Sequence, residues 1–572
     1  MALRTLYSLL TSATLVSIYG VLEHFGIDKN VWQQDVQSRV FSTLGQPNWL
    51  AAWVVALVPI VWALIIKYKD KFKDTVKNNT KDKLKLVSLY ALSALFFVTL
   101  LFTGSRSGLL GFVVIAVIFW GITLLKYKKI YLKELIFSNL IVIVFSLLIG
   151  TQWTPSIWSL VKGPADSAKT VTLASGTVLE TGGTESGSIR KIVWKGALEI
   201  WKHYPIFGSG VETFAYSYYL YRPIEHNLTS EWDFIYNKAH NEYLNFLANS
   251  GAVGLLSYLF LISAIVYLFY KKLKTPVENS EQPEETDIIQ LAFLAGFSSI
   301  LVTNFFGFSV VPIQLQFFLF PAIAIALVDD NQELTLNKQK LSNNQKTVIY
   351  IVLATASYLI ITICKYWYAD YLYATGRSYN TLGKADVATK YLTQAVKITP
   401  KQSLFYGDSY GLAASYVNLA LAFDKEKDAT QVAQLSTAAI AEINKAVSLT
   451  PANINFKRVK FGIYIMLSGI DPNYLVDARD TLITAIAQAP TDPKLYYNLA
   501  LIYARTGQTG EAIKILQETI RLKANYKEAR LAYAILLIGQ KENLEAKTQL
   551  EYILNFIDPN DSLTKQTLES VK

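Results

Sequence analysis

A chain of 572 residues that is 52% hydrophobic and 17% charged carries far fewer charges than the roughly 25% of a soluble globular chain, so a wholly water-soluble fold is excluded and the bilayer is the first solvent to consider. The formal charge of +10 does not point to nucleic acid, because the lysines lie between apolar runs rather than along one amphipathic face. A single cysteine, Cys364, and four histidines, His24, His203, His226 and His240, exclude an internal disulfide and offer no ligand spacing for a metal site; no metal and no cofactor is expected.

The N-terminal MALRTLYSLLTSATLVSIYGVL lacks a small-residue cleavage pattern and reads as a retained first helix. Crossing the hydrocarbon takes about 20 apolar residues in helix. About nine runs qualify, near 5–22, 48–66, 86–103, 108–125, 134–150, 253–270, 288–308, 312–328 and 347–364. Lysines mark alternate loops: Lys67, Lys69, Lys71, Lys73, Lys77, Lys81, Lys83 and Lys85 after the second run, then Lys126, Lys128, Lys129 and Lys133, then Lys271, Lys272 and Lys274, then Lys338, Lys340 and Lys346. Under the positive-inside rule these loops are cytoplasmic. The N-terminus is then inside, and a large loop, 151–252, faces outward with everything after Cys364. The first part of that loop, from Gly163 to Ser188, is rich in Gly, Ser and Thr and reads as mobile. Beyond it, Ile189, Ile192, Val193, Leu198 and Trp201 have the spacing of an amphipathic helix that ends before Pro205 and can lie along a membrane surface.

After Tyr366 the pattern becomes that of a soluble helical array. Tyr496, Leu499, Ala500, Tyr503, Ala512 and Leu516 match tetratricopeptide spacing, and Ala534, Ala546 and Leu550 repeat it 34 residues on. Gly383, Ala388, Leu392, Ala395 and Pro400 form a looser copy, and Pro451, Pro490 and Pro559 close further units, so four or five repeats are expected. The fold class expected is all-α, a polytopic membrane bundle over 1–365 followed by a tetratricopeptide-type α-solenoid over 366–572. Helix pairs that cannot bury an apolar face alone stack into a concave surface suited to a protein partner.

Four segments carry chemistry. They are FSTLGQPNWLA with Gly45, Pro47 and Asn48; TGSRSG with Arg106; RKIVWKGALEIWKHYPIFGSGVETF with Arg190, His203, Pro205, Gly208 and Gly210; and KAHNEYLNFLANSGAVG with His240, Asn241, Glu242, Gly251 and Gly254. Taken in this order on the outward side, over roughly residues 1–330, they resemble the O-antigen ligase and polymerase superfamily. The resemblance implies a metal-independent integral-membrane glycosyltransferase in the cytoplasmic membrane. Its donor would be a polyprenyl-diphosphate-linked glycan and its acceptor a glycan, lipid or protein. His240 would activate the acceptor, and Arg190 and Arg106 would hold the donor diphosphate. The resemblance also implies three or four further helices ahead of those seen here.

These residue types suit that chemistry on their own terms. Displacing a diphosphate from an anomeric carbon requires a base for the incoming hydroxyl, and histidine titrates in the useful range. The leaving group gathers negative charge, which the permanently charged arginine fork can grip. Arg39 and Arg222 are weaker candidates of the same kind. Each residue also has a structural alternative: Arg190 snorkels at the interface, Arg106 occupies a turn between helices, Asn241 positions a substrate hydroxyl or caps a helix, and Glu242 orients His240 or is simply solvated. At the level of the chain, the alternatives to a ligase are a glycan polymerase, a bicarbonate-type transporter and a non-catalytic scaffold. Transport is disfavoured by the scarcity of ionisable residues mid-span.

Overall fold

The computed structural model describes residues 2–32, 35–74, 80–127, 130–151, 154, 157, 186–274, 285–329 and 342–571. The Gly/Ser/Thr-rich stretch 163–185 and the loop lysines Lys77, Lys128, Lys129, Lys338 and Lys340 lie outside these residues. Contacts divide the chain into two compact units. One is Met1–Thr170 with Trp201–Val211 and Lys238–Thr335; the other is Val171–Ile200 with Glu212–Asn237 and Leu336–Lys572.

The described residues are helical apart from loops and one isolated bridge, Thr151 to Thr154. In chain order come α1 (Ala2–His24), α2 (Pro47–Val55), α3 (Val58–Asp74), α4 (Thr80–Thr103), α5 (Arg106–Tyr127) and α6 (Leu132–Ile149). The long connection beyond α6 contributes α7 (Ser186–His203) and α8 (Phe214–Tyr221), and the apolar helices resume with α9 (Glu242–Lys274), α10 (Glu285–Phe305) and α11 (Val311–Asp329). Among the described residues, eight stretches are long and apolar enough to cross a membrane, and Val311–Leu327 is a shorter apolar helix at the expected position of the eighth run. The chain is a multi-pass membrane protein.

The α2–α3 pair runs through the middle of the first unit, and nearly every side chain from Leu50 to Ile66 is buried. Peripheral helices instead turn residues such as Val117, Leu256 and Phe260 outward, 66%, 65% and 76% exposed, as lipid-facing positions should be. The break between α2 and α3 falls ahead of Pro59, which has no N–H for the preceding turn. Freed backbone groups in hydrocarbon must find partners inside the protein, and Gln316 Nε2 donates to the Trp53 carbonyl at 3.1 Å. Gly296 makes the close approach feasible, since a Cβ there would collide with the Ala56 carbonyl oxygen.

The second unit is built on α12 (Asn343–Thr381), which starts with a capping box between Ser342 and Gln345 and continues without a break into the first repeat. The C-terminal part of α12 pairs with α13 (Ala385–Ile398), and a short α14 (Ser403–Gly407) follows. Four more pairs stack beyond it: α15 (Leu412–Ala422) with α16 (Ala429–Leu449), α17 (Ile454–Leu467) with α18 (Tyr474–Gln488), α19 (Pro493–Arg505) with α20 (Thr509–Leu522), and α21 (Lys527–Gly539) with α22 (Asn543–Tyr552). The array ends in α23 (Ser562–Ser570). Ala388, Leu392, Ala395, Ala500, Ala512 and Leu516 are buried at the expected positions, and their counterparts Ala534, Ala546 and Leu550 repeat the pattern. One lock recurs along the array: Tyr406 donates to the Pro400 carbonyl at 3.0 Å and Tyr496 to the Pro490 carbonyl at 3.1 Å.

Helix α7 buries or half-buries the expected face, with Leu198 the exception. Its buried residues are Ile189, Val193, Ala197 and Ile200, while Leu198 is 38% exposed. Gly196 lies on this buried face, and its missing side chain lets the helix press against Tyr218 and Pro223.

Candidate active site

Helix α9 is two helices joined at Gly251, which takes φ +64°. A half-helix from Glu242 precedes the span, and the break between them is filled by the chain segment after α7. The Ser209 and Gly210 amides donate to the Ala248 and Asn249 carbonyls at 2.9 and 3.0 Å, and the Ala252 and Val253 amides donate to the Pro205 and Ile206 carbonyls at 2.9 and 3.2 Å. The carbonyls and amides that a helix break would orphan are therefore satisfied reciprocally. Gly208 and Gly251 are required by this clasp: both have positive φ, and a Cβ on either would run into the backbone of the other segment. This gives a physical role to the PIFGSG motif.

His240 sits immediately before the half-helix with φ +52°, a conformation uncommon for a residue with a side chain and one that clusters at functional sites. Asn241 caps the half-helix, its Oδ1 accepting from the Leu244 amide at 3.0 Å. One turn on, Asn245 Oδ1 accepts from the Ala239 amide at 3.4 Å and from Asn249 Nδ2 at 3.2 Å. Asn241, Asn245 and Asn249 are all buried, so a polar ladder beneath His240 holds its backbone. Glu242, half-buried, opens the first turn of the half-helix.

The His240 ring packs edge-on against Phe308 at 5.4 Å, and Phe308 packs in turn on Trp49 at 5.9 Å. Trp49 belongs to the Gly-x-Pro-Asn segment, in which Gly45 takes φ +78°, Gln46 caps α2 and Pro47 occupies its first turn. The next residue, Asn48, is a hub: its Oδ1 accepts from Ser105 Oγ at 2.8 Å and from Arg39 Nη2 at 3.3 Å. Arg39 Nε donates to the Thr103 carbonyl at 2.9 Å, and its side chain lies along Gly104. Ser105 Oγ also accepts from the Gly108 amide at 3.2 Å and so caps α5, whose first residue is the exposed Arg106. One end of the first unit thus gathers Arg39, Arg106, the N-termini of α2 and α5, and, through Phe308, His240 at the head of α9. Helix N-termini carry partial positive charge and open amides, so with two guanidinium groups this end is suited to an anion such as a diphosphate.

Of the residues named from sequence, Arg39, Arg106, His240, Asn241 and Glu242 belong to this end of the first unit. Arg39, one of the two weaker arginine candidates, has its guanidinium held by the Thr103 carbonyl and Asn48 Oδ1. Asn48 and Ser105 were visible as parts of motifs, but Phe308 gave no sign of its role. Arg190 belongs to the second unit, half-buried on α7 and close enough to Tyr236 for its charge to act on that phenol. Tyr236 donates to the Glu231 carboxylate, and burial with that carboxylate raises its phenol well above its ordinary range. His203 is exposed at the end of α7. Among the described residues, no group of three or more His, Cys, Asp or Glu side chains is placed to hold a metal.

Residues 91–259 match a family model described as O-antigen ligase, and residues 369–402 and 482–514 match models described as tetratricopeptide repeat. No curated protein matches the chain. Solved structures similar to it include the MamA protein, 20% identical over 33% of this chain and 91% of that one with TM-score 0.26. A second is a thermophilic TPR protein of Thermus thermophilus, 22% identical over 36% and 98% with TM-score 0.25. Another is pilF of Pseudomonas aeruginosa, 18% identical over 36% and 90% with TM-score 0.26.

Proposed function

We propose that this chain, which carries an O-antigen ligase domain and C-terminal tetratricopeptide repeats, moves a glycan from a polyprenyl-diphosphate carrier to a glycan, lipid or protein acceptor on the outer side of the cytoplasmic membrane. The domain match supports a membrane glycan-ligating enzyme. The observation that carries the finer reading is the gathering of Arg39, Asn48, Ser105 and Arg106 with His240 at one end of the bundle.

His240 takes the proton of the acceptor hydroxyl as that oxygen attacks the anomeric carbon. The bond from that carbon to the diphosphate oxygen breaks, and the electron pair leaves with the diphosphate. Arg39 and Arg106 meet the developing charge, with the N-termini of α2 and α5 adding to the field; the family resemblance assigns Arg190 to the donor diphosphate as well. Fixed donors of this kind act strongly because they need not reorganise as charge develops. The carrier's lipid tail never leaves the bilayer, which accounts for a site at the membrane end of a bundle. In this reading the ligase-like domain spans 1–365 and the repeats 366–572.

The test is glycan transfer in a ligase-deficient host, comparing the intact chain with His240→Ala at matched membrane levels. A linked product that disappears with the substitution is expected. Undiminished product from the variant would remove His240 from the mechanism, and a stably inserted intact chain that makes no product would remove the transferase reading.

A further inference from the structure

The second unit contains a contact that neither a transferase site nor a repeat array requires. Within it, the segment 222–233 lies against the turns that join successive helix pairs. Arg222 and Asn227 are 3% and 0% exposed, and removing such groups from water is unfavourable unless their hydrogen bonds are replaced. The repeats supply the replacements. Arg222 Nη2 donates to the Thr491 carbonyl at 3.2 Å, and Asn227 Nδ2 donates to the same carbonyl at 2.8 Å and to that of Leu522 at 3.1 Å. In the other direction, Lys523 Nζ donates to the Asn227 carbonyl at 2.7 Å and Thr491 Oγ1 to the Arg222 carbonyl at 3.1 Å.

Charge and shape agree with this. Asp233 pairs with Lys494 and stands 4.0 Å from Arg458. The Trp232 ring lies against Tyr526 at 5.6 Å, with the ammonium groups of Lys494 and Lys523 over it at 5.1 and 4.5 Å. Tyr219 joins the apolar cluster of Ile454, Leu482, Leu495 and Leu499. Backbone carbonyls at two inter-repeat turns, an acid between two bases and an aromatic ring between two lysines form a recognition surface, and its occupant is in place.

We infer that the ligand of the third to fifth helix pairs is this chain's own outer loop, and that the repeats brace in cis the segment running between Arg190 and His240. A separate protein has no access to these turns while the loop is seated. The brace has a use because the loop carries its own small core: α8 packs on α7 at Gly196, and Lys195 pairs with Glu225 at 2.6 Å. Fixing 222–233 fixes α7. Arg222 is then a positioning residue, and this functional part rests on the transferase reading.

The docking is tested without any assay of activity. Asp233→Cys and Lys494→Cys are introduced into the full chain carrying Cys364→Ser, and native membranes are treated with a short bismaleimide reagent. A peptide pair linked within one chain is expected, and it should disappear when Arg222→Ala and Asn227→Ala are added. Absence of the link in the parent pair, or a link only between two chains, overturns docking in cis. For the functional part, Arg222→Ala should lower transfer about 10- to 100-fold, the size expected when a distant change misplaces reacting groups. Bridging the two introduced thiols should restore it. Transfer that is unaffected by Arg222→Ala overturns the brace, and an intact chain without transfer counts against the transferase reading while the link still decides the docking.

Discussion

His226 is wholly buried, and its two ring nitrogens have different partners. Nε2 faces the Glu231 carbonyl at 3.2 Å, which can only accept, so that nitrogen carries the proton; Nδ1, at 2.9 Å, accepts from the Tyr218 hydroxyl. Burial, with the Arg222 charge adding to it, pulls the imidazole down from 6.5 to about 4. The neutral form is the folded form, so its contribution is complete above about pH 6.5, declines as the unfolded chain takes up a proton, and is lost below about pH 4. The shift corresponds to about 3 kcal/mol. The urea midpoint for oxidative footprinting of Trp232 should therefore fall between pH 7 and pH 4.5, and His226→Gln should flatten the dependence; equal slopes in both chains would sink this account. Arg39 offers a second case. Its fork spans the Thr103 carbonyl and Asn48 Oδ1, and lysine keeps the charge but cannot make that bridge. Arg39→Lys should lower transfer by about tenfold at unchanged membrane level, the scale of one lost charge-assisted hydrogen bond. Sequence made Arg106 and His240 visible through their motifs. It ranked Arg39 low because its partners, Thr103 and Asn48, come from separate helices.

At the scale of elements, the spans were legible because a run of about 20 apolar residues has few other uses. The repeats were legible because a 34-residue period places the same small residue at Ala500 and Ala534. The interruptions were harder to read. Pro59 lies in an unbroken apolar run, and its effect depends on Gln316 and Gly296 arriving from other helices. The amphipathic face of α7 was legible at Ile189 and Val193, but periodicity cannot foresee that Gly196 admits Tyr218. The break in α9 invites a comparison of two glycines. Gly251 and Gly45 both have positive φ, but a Cβ at Gly251 meets the Ile206 carbonyl whereas at Gly45 it meets nothing within 4 Å. Gly45→Ala should carry only the left-handed strain, about 1 kcal/mol. Gly251→Ala should lose more than about 2 kcal/mol and open the clasp. Thermal aggregation midpoints in detergent should separate the two variants, and equal midpoints would show that the clasp contributes nothing to stability.

At the scale of the whole molecule, an all-helical membrane domain followed by a tetratricopeptide solenoid was readable from composition and period alone. The docking of 222–233 on the repeats was not, because Asn227 and Leu522 stand 295 positions apart and no local pattern records such a pair. The clasp at α9 has a consequence for how that loop is mounted. Gly210 is tied to the Asn249 carbonyl, and Ala239 is tied to the Asn245 side chain. The chain therefore departs from and returns to the same half-helix, at stations one turn apart. Everything between them is a closed excursion from the half-helix, seated on the repeats through 222–233. Since closure entropy grows only slowly with loop length, residues inserted between these stations and outside 222–233 cost little at the half-helix, and the backbone at His240 stays where it is.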